Sequence, residues 1–524
     1  MNVEIYDTTL RDGTQQEGMS LTAGDKLRVT TLLDDLGVAF IEGGWPGANP
    51  KDDEFFARAR NELDLHTATL VAFGATRRAG IDASEDEQLA ALLAAETDVV
   101  CLVGKSWDYH VEHALRTDLD EAVAMVADSI SFLRSRGRRV FFDAEHFFDG
   151  YRDNPDFATA VVRAARDAGA ERLVLCDTNG GFLSHDVERT IGEVTAAVPD
   201  AVFGCHFHND AGLAVGNSLT AVRLGVHQVQ GCINGYGERT GNADLCSVIP
   251  NLTLKMGYAT LPEERLDRLT SVSHHIAEIV NLTLDPHLPY VGTSAFTHKA
   301  GLHTSALARK PDAYEHLSPD VVGNATRVVV SELAGRSTVV ARAKAQGLDL
   351  DSETAQKVVD RIKELEHEGY VFEAADGSFE LLLRAAQGWQ QPYFALESYR
   401  VFVEHRDDTV VAEATVKVHV GRERVVATRE GDGPVSAMDQ ALRAALAWAY
   451  PELEQIRLTD YRVRDLDSTD GTSARVRVLC EHSDGTSVWG TVGVHQNIID
   501  ASWKAVSEGI VLGLVRTEAV TPAE

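Results

Sequence analysis

Cysteine is scarce and scattered. Six occur in 524 residues (Cys101, Cys176, Cys205, Cys232, Cys246, Cys480), mostly in apolar runs, with no CxxC pair. They read as buried free thiols of a reducing compartment rather than a disulfide framework. Basic charge is short as well: 49 Lys and Arg stand against 80 Asp and Glu, a net charge of −31. That argues against general nucleic-acid binding, which wants a basic face. It leaves room for a phosphate-bearing substrate held locally by Arg or Lys. No run of about 18 apolar residues is present, so no membrane span is expected. The opening Met1-Asn2-Val3-Glu4-Ile5-Tyr6 lacks a basic stretch followed by an apolar core, so no signal peptide is expected and the location expected is cytoplasmic.

The hydrophobic fraction is 44%, ordinary for a chain with a real core, and the length calls for two to four domains. Short apolar runs alternate with amphipathic stretches from the start. Strands are predicted at Val3–Asp7, Val38–Glu42, Thr67–Phe73, Asp98–Val103, Arg139–Asp143, Arg172–Cys176, Ala201–Cys205 and Gln228–Cys232. Helix-length segments separate them, among them Asp120–Arg136 and Asp156–Ala168. The runs are nearly continuous in apolar residues, as parallel strands buried on both faces should be. Eight such units predict an α/β fold, a (β/α)8 TIM barrel. The alternative, a doubly wound open sheet, lacks the GxGxxG after its first strand.

In a barrel the chemistry belongs at the C-terminal strand ends, and the polar residues collect there. Strand 1 runs into Asp7-Thr8-Thr9-Leu10-Arg11-Asp12-Gly13, strand 5 into Asp143-Ala144-Glu145-His146, and strand 6 into Asp177-Thr178-Asn179-Gly180. Strand 7 runs into His206-Phe207-His208-Asn209-Asp210, and strand 8 into Asn234-Gly235-Tyr236-Gly237-Glu238-Arg239-Thr240-Gly241-Asn242. Side chains at i and i+2 of a strand share a face, so two imidazoles there can reach one cation. An isolated HxH is as readily a pair of core or surface histidines. Acids, amides and imidazoles on several independent strand ends favour the ligand reading.

The division expected is a catalytic barrel at 1–260, linker subdomains at 261–392 and a further domain at 393–518. Within the linker lie a lid segment at 290–325, a helical pair at 338–368, and a connector at Ala386–Pro392. The last part repeats a βββα pattern. Strands are predicted near Ser398–Val403, Val410–Val420 and Arg424–Thr428, then a helix at Val435–Tyr450; strands recur at Arg457–Val463, Ala474–Cys480 and Val488–Val494, then a helix at Ile498–Leu514. Such a duplication predicts a compact α+β module with pseudo-twofold symmetry.

The segments at 7–15, 206–210 and 235–243 resemble the signatures of the isopropylmalate, homocitrate and citramalate synthases. His298–His303 resembles that family's HKAGxH segment, and the duplicated unit resembles its leucine- or isoleucine-sensing domain. Within the group, Glu42–Asp52 and Phe142–Tyr151 are most similar to the second type of (R)-citramalate synthase. One departure is Thr14, where the family usually has Glu after Asp-Gly.

The resemblance implies a metal-dependent acyltransferase that condenses acetyl-CoA with pyruvate to (R)-citramalate and CoA, the first step of a threonine-independent isoleucine pathway. It implies a divalent ion (Mn, Mg, Co or Zn) on Asp12, His206 and His208, with Asn242 as a further ligand. Arg11 is the natural cation for oxyanion charge; its alternative is a salt bridge to a neighbouring loop acid. Thr178 is expected to donate to the keto-acid carboxylate or else to stabilise its own turn. Glu145 is implied in proton transfer or positioning, and His303 and Tyr314 in acid/base work outside the barrel. An isoleucine effector and a homodimer are implied too. Alternatives are an isopropylmalate or homocitrate synthase and, further off, a hydroxymethylglutaryl-CoA-lyase-like enzyme, a carboxyltransferase subunit or an inert amino-acid-binding protein.

Overall fold

The computed structural model describes residues 2–262, 264–298, 310, 314–328, 336–372, 374–406, 409–466 and 475–520. The chain divides into two compact units, Met1–Phe296 with Leu317–Ala325, and Thr297–His316 with Thr326–Glu524.

In the first unit eight parallel strands close into a barrel in sequence order. They are β1 (Glu4–Asp7), β2 (Phe40–Gly44), β3 (Thr69–Ala75), β4 (Val99–Lys105), β5 (Arg139–Glu145), β6 (Arg172–Asp177), β7 (Phe203–Phe207) and β8 (Gln228–Gly231). β1 pairs with both β2 and β8, which closes the cylinder. Most strands end one or two residues beyond the predicted boundary. The polar tip residues still share the ladder: Lys105 lies opposite Glu145, and Asp177 opposite Phe207. Polarity at a barrel mouth does not end a strand, because the side chain reaches the open end while the backbone stays paired.

The crossover helices start where capping chemistry places them. Thr22 and Asp25 form a capping box ahead of Ala23–Leu36, and Asn49 and Asn154 each cap a helix that opens with proline. The barrel interior is filled by Tyr6, Phe40, Val71, Phe73, Val99, Cys101 and Phe141. Phe40 and Phe141 meet edge to face at 5.0 Å, so this end is solid and the open end faces the strand tips.

The second unit contains two three-stranded antiparallel sheets. Strands Ala395–Arg406, Thr409–Val420 and Glu423–Gly431 lead to helix Pro434–Leu446. Strands Arg457–Asp465, Val476–Ser483 and Val488–His495 lead to helix Ile498–Arg516. Val416, Leu442, Trp489 and Ile510 belong to one buried cluster, so the two βββα copies close on a common core. The helical pair is present at Arg336–Ala345 and Ser352–His367. A helix that the sequence reading did not anticipate, Asp376–Ala386, ends where the predicted connector begins. Its Phe379 and Leu383 cluster with Phe372 and with Val492 and Val494 of the last strand. No helix among the described residues is long and apolar enough to cross a membrane.

Candidate active site

Immediately after β1 the chain turns at Gly13–Gln15, which aims Arg11 and Asp12 across the barrel mouth. Thr14 stabilises this turn by donating its hydroxyl to the Arg11 carbonyl at 2.7 Å. A threonine therefore has a local structural role where the family usually carries Glu. Asp12, His206 and His208 are all buried, and one ligand atom from each lies within 4.8 Å of the others. His206 Nε2 is 3.5 Å and His208 Nε2 3.9 Å from Asp12 Oδ2. His206 sits on β7, while His208 follows it and bridges Asn242 across the neighbouring loop.

Asn242 completes the set. Its amide nitrogen donates to the Tyr236 carbonyl at 3.1 Å, which turns Oδ1 toward His206 Nε2 at 3.0 Å. The glycine-rich loop makes this approach possible. Gly237 has φ +147°, and a Cβ there would lie 2.3 Å from Asn242 Nδ2; Gly241 has φ +87°, and a Cβ there would lie 1.9 Å from the Gly235 carbonyl. Arg239 and Asp210 clasp the β8 and β7 loops together through bonds of 2.8 and 2.9 Å.

This donor set fits a divalent cation. Asp12 Oδ1 is buried with no hydrogen-bond partner among the described residues, and the His206, His208 and Asn242 acceptors converge near it. Burial pushes the Asp12 carboxyl up, but the neighbouring charges, the Arg11 guanidinium foremost, outweigh it and hold it down at about 2. Burial drives the His208 imidazole down to about 3, so it stays neutral and keeps a lone pair for metal. The chain therefore has a candidate metal site, on a carboxylate, two imidazoles and an amide oxygen.

Arg11 bridges two acids. Its Nε donates to Glu42 Oε1 at 2.5 Å and an Nη to Asp12 Oδ2 at 3.0 Å, and its guanidinium lies 3.8 Å above the Phe73 ring centre. The salt bridge to a neighbouring loop acid is thus real, and the second partner comes from the tip of β2. Tyr6 holds the other Glu42 oxygen at 2.5 Å. Glu145 closes β5 and is ion-paired with Lys105 on β4. Thr178 reaches the neighbouring strand end: its hydroxyl oxygen accepts from the His146 backbone N–H at 2.9 Å. Arg11, Asp12, Glu145, Thr178, His206 and His208 all line one cavity of about 510 Å3. Tyr314 belongs to the second unit and is 49% exposed, and His303 lies outside the described residues.

Three further buried groups stand beside the site: Glu42, Asp143 and Gln230. Asp143 lies in the polar end of strand 5, but nothing in the spacing along the chain pairs any of the three with its partner. Burial raises the carboxyl pKa of both acids.

A closed barrel whose mouth gathers two imidazoles, a carboxylate and a guanidinium defines a class: (β/α)8 enzymes built to hold a divalent ion against an oxygen-rich substrate. The HMGL-like family model matches residues 2–276, a homocitrate synthase post-HMGL domain-like model residues 290–370, and a LeuA allosteric (dimerisation) domain residues 373–513. The chain is 55% identical over 524 residues to the (R)-citramalate synthase of Streptomyces coelicolor, covering 99% of this chain and 98% of that one. It is 49% identical to the (R)-citramalate synthase of Aquifex aeolicus, over 98% of each chain. To a probable 2-isopropylmalate synthase of Methanopyrus kandleri it is 31% identical, over 97% of each. The chain belongs to the HMGL-like family and, within it, to the (R)-citramalate synthases.

Proposed function

We propose that the chain joins acetyl-CoA to pyruvate and hydrolyses the resulting thioester to (R)-citramalate and CoA. The observation that carries this reading is the full-length kinship with (R)-citramalate synthases at 55% identity. Asp12, His206 and His208 would hold the divalent ion, with Asn242 as a further donor; Mn, Mg, Co and Zn all suit this nitrogen and oxygen set. When bound, the ion supplies Lewis acidity to the carboxylate and keto oxygen of pyruvate.

The remaining roles belong to the chain's own side chains. Arg11 sits beside the ligand carboxylate and stabilises oxyanion charge as the acetyl methyl carbon bonds to the keto carbon. Thr178 accepts from His146, so its own proton is left to donate to the pyruvate carboxylate. Glu145 handles or orients the methyl proton, and His303 and Tyr314 supply further acid/base groups. Water then cleaves the citramalyl thioester, which makes the overall step irreversible.

The division into barrel 1–260, linker 261–392 and regulatory module 393–518 is part of this reading, as are an isoleucine effector and a homodimer built through the module. A LeuA allosteric (dimerisation) domain match over residues 373–513 supports the last two.

The test is an acceptor panel. Purified protein with Mn2+ and acetyl-CoA receives pyruvate, 2-oxoisovalerate, 2-oxoglutarate or none, and free thiol is followed. Release with pyruvate alone is expected. Release with 2-oxoisovalerate instead would make the chain an isopropylmalate synthase.

A further inference from the structure

His206 is held from behind as well as from the front. Its Nδ1 lies 2.9 Å from Gln230 Oε1, and Gln230 Nε2 donates to Asp143 Oδ1 at 3.0 Å. The same Asp143 oxygen accepts from the Cys101 thiol at 3.2 Å. The three links stand on β7, β8 and β5, and His206, Gln230 and Asp143 are each at most 4% exposed. A carboxylate oxygen taking two donors turns the amide nitrogen of Gln230 toward itself, which leaves the amide oxygen for His206. An amide oxygen accepts, so the imidazole nitrogen facing it carries the proton. Nε2 then presents its lone pair to the Asp12 and Asn242 oxygens.

Without that brace the other tautomer has an attraction of its own. Asn242 Oδ1 sits 3.0 Å from His206 Nε2, and a proton on Nε2 would bond to it and close the site to a cation. Nothing equivalent braces His208, whose Nδ1 has no hydrogen-bond partner among the described residues. We propose that Gln230 and Asp143 are positioning residues that lock His206 in its Nδ1–H tautomer with Nε2 open toward the Asp12–Asn242 pair. The inference rests on the divalent-metal reading of the site and extends it to two side chains behind the ligand, Gln230 off the cavity and Asp143 on its wall.

The test is cation affinity in full-length protein stripped of metal, measured by calorimetric titration with Mn2+ and by the visible spectrum of added Co2+. Gln230→Leu keeps the bulk and removes the acceptor; binding weakened roughly 10–100-fold is expected, the range typical for partners behind a metal ligand. Asp143→Ala frees the amide to rotate and should show a smaller loss. Asp143→Asn keeps an oxygen acceptor for the Gln230 amide and should retain most of the affinity that Asp143→Ala loses, which a purely space-filling role would not produce. If Gln230→Leu does not fold, Asp143→Ala and Asp143→Asn decide. Folded Gln230→Leu and Asp143→Ala proteins that bind Mn2+ and Co2+ like the parent overturn the positioning role. A parent protein that binds neither ion removes the metal reading itself.

Discussion

At the scale of single residues, the candidate site is a contest between charges brought close and the burial that opposes them. Asp12 is kept ionised chiefly because the Arg11 guanidinium beside it offsets its desolvation. Arg11 does two things at once: it braces Asp12 and it reaches back to Glu42. Lysine keeps the charge but lacks the planar fork that spans both acids. Arg11→Lys is therefore expected to lower kcat by roughly 10²–10³-fold, the scale of losing a preorganised oxyanion donor. Steady-state kinetics with pyruvate check this, and an unchanged kcat would free Arg11 from the chemistry. Asp12, His206, His208 and Asn242 were legible because each stands in a contiguous motif. Glu42, Asp143 and Gln230 were not, because each contacts its partner from a different strand across the barrel interior. Their separations of 31, 87 and 24 residues from Arg11, Gln230 and His206 leave no local pattern.

At the scale of elements, alternation of short apolar runs with amphipathic segments was enough to find all eight barrel strands and both βββα copies. It mislaid strand ends, since the tip residues are polar yet still paired. It also missed helix Asp376–Ala386, which opens with Gly377 and Ser378, both weak helix formers. Tertiary burial of Phe379 and Leu383 supplies what propensity lacks. One buried histidine makes the duplicated module sensitive to acid. His482 is fully buried, stacks on Trp489 at 6.3 Å, and has no hydrogen-bond partner on either ring nitrogen among the described residues. Burial, helped by Arg443, lowers its pKa to about 4. The unfolded chain takes up this proton at about 6.5. Its contribution is thus fully present above pH 6.5 and is lost as pH falls toward 4, by up to about 3 kcal/mol. Denaturant unfolding of the parent and of His482→Phe at pH 7.5 and 4.5 should give a smaller acid loss in the variant. Equal losses would show that His482 does not titrate on unfolding.

At the scale of the whole molecule, a bound ion and a bound effector should both appear as stability. A divalent ion held by Asp12, His206 and His208 would join the loop after β1 to the end of β7, early and late parts of the barrel. Mn2+ at 100 times its Kd is expected to add about 2.7 kcal/mol of folding free energy, removed again by chelator. Thermal unfolding with and without Mn2+ reads this, and a midpoint indifferent to the ion would count against a site preformed in the native state. Isoleucine, added to the intact chain, should raise the midpoint of the transition in the same saturating way, while valine and threonine raise it less. No shift with isoleucine would leave the duplicated module without its proposed effector.

The architecture was readable along the chain, because the alternation of apolar runs and amphipathic segments is local and survives in a string of letters. The resemblance of three short motifs to the family's signatures named Asp12, His206, His208 and Asn242 as candidate ligands, and the fold brings ligand atoms of the first three within 4.8 Å of one another. Which buried acids stand behind Arg11 and His206, and which way the Gln230 and Asn242 amides face, follows from the folded barrel. Those relations depend on where eight strands meet when the sheet closes, and closure brings together residues that no spacing along the chain connects.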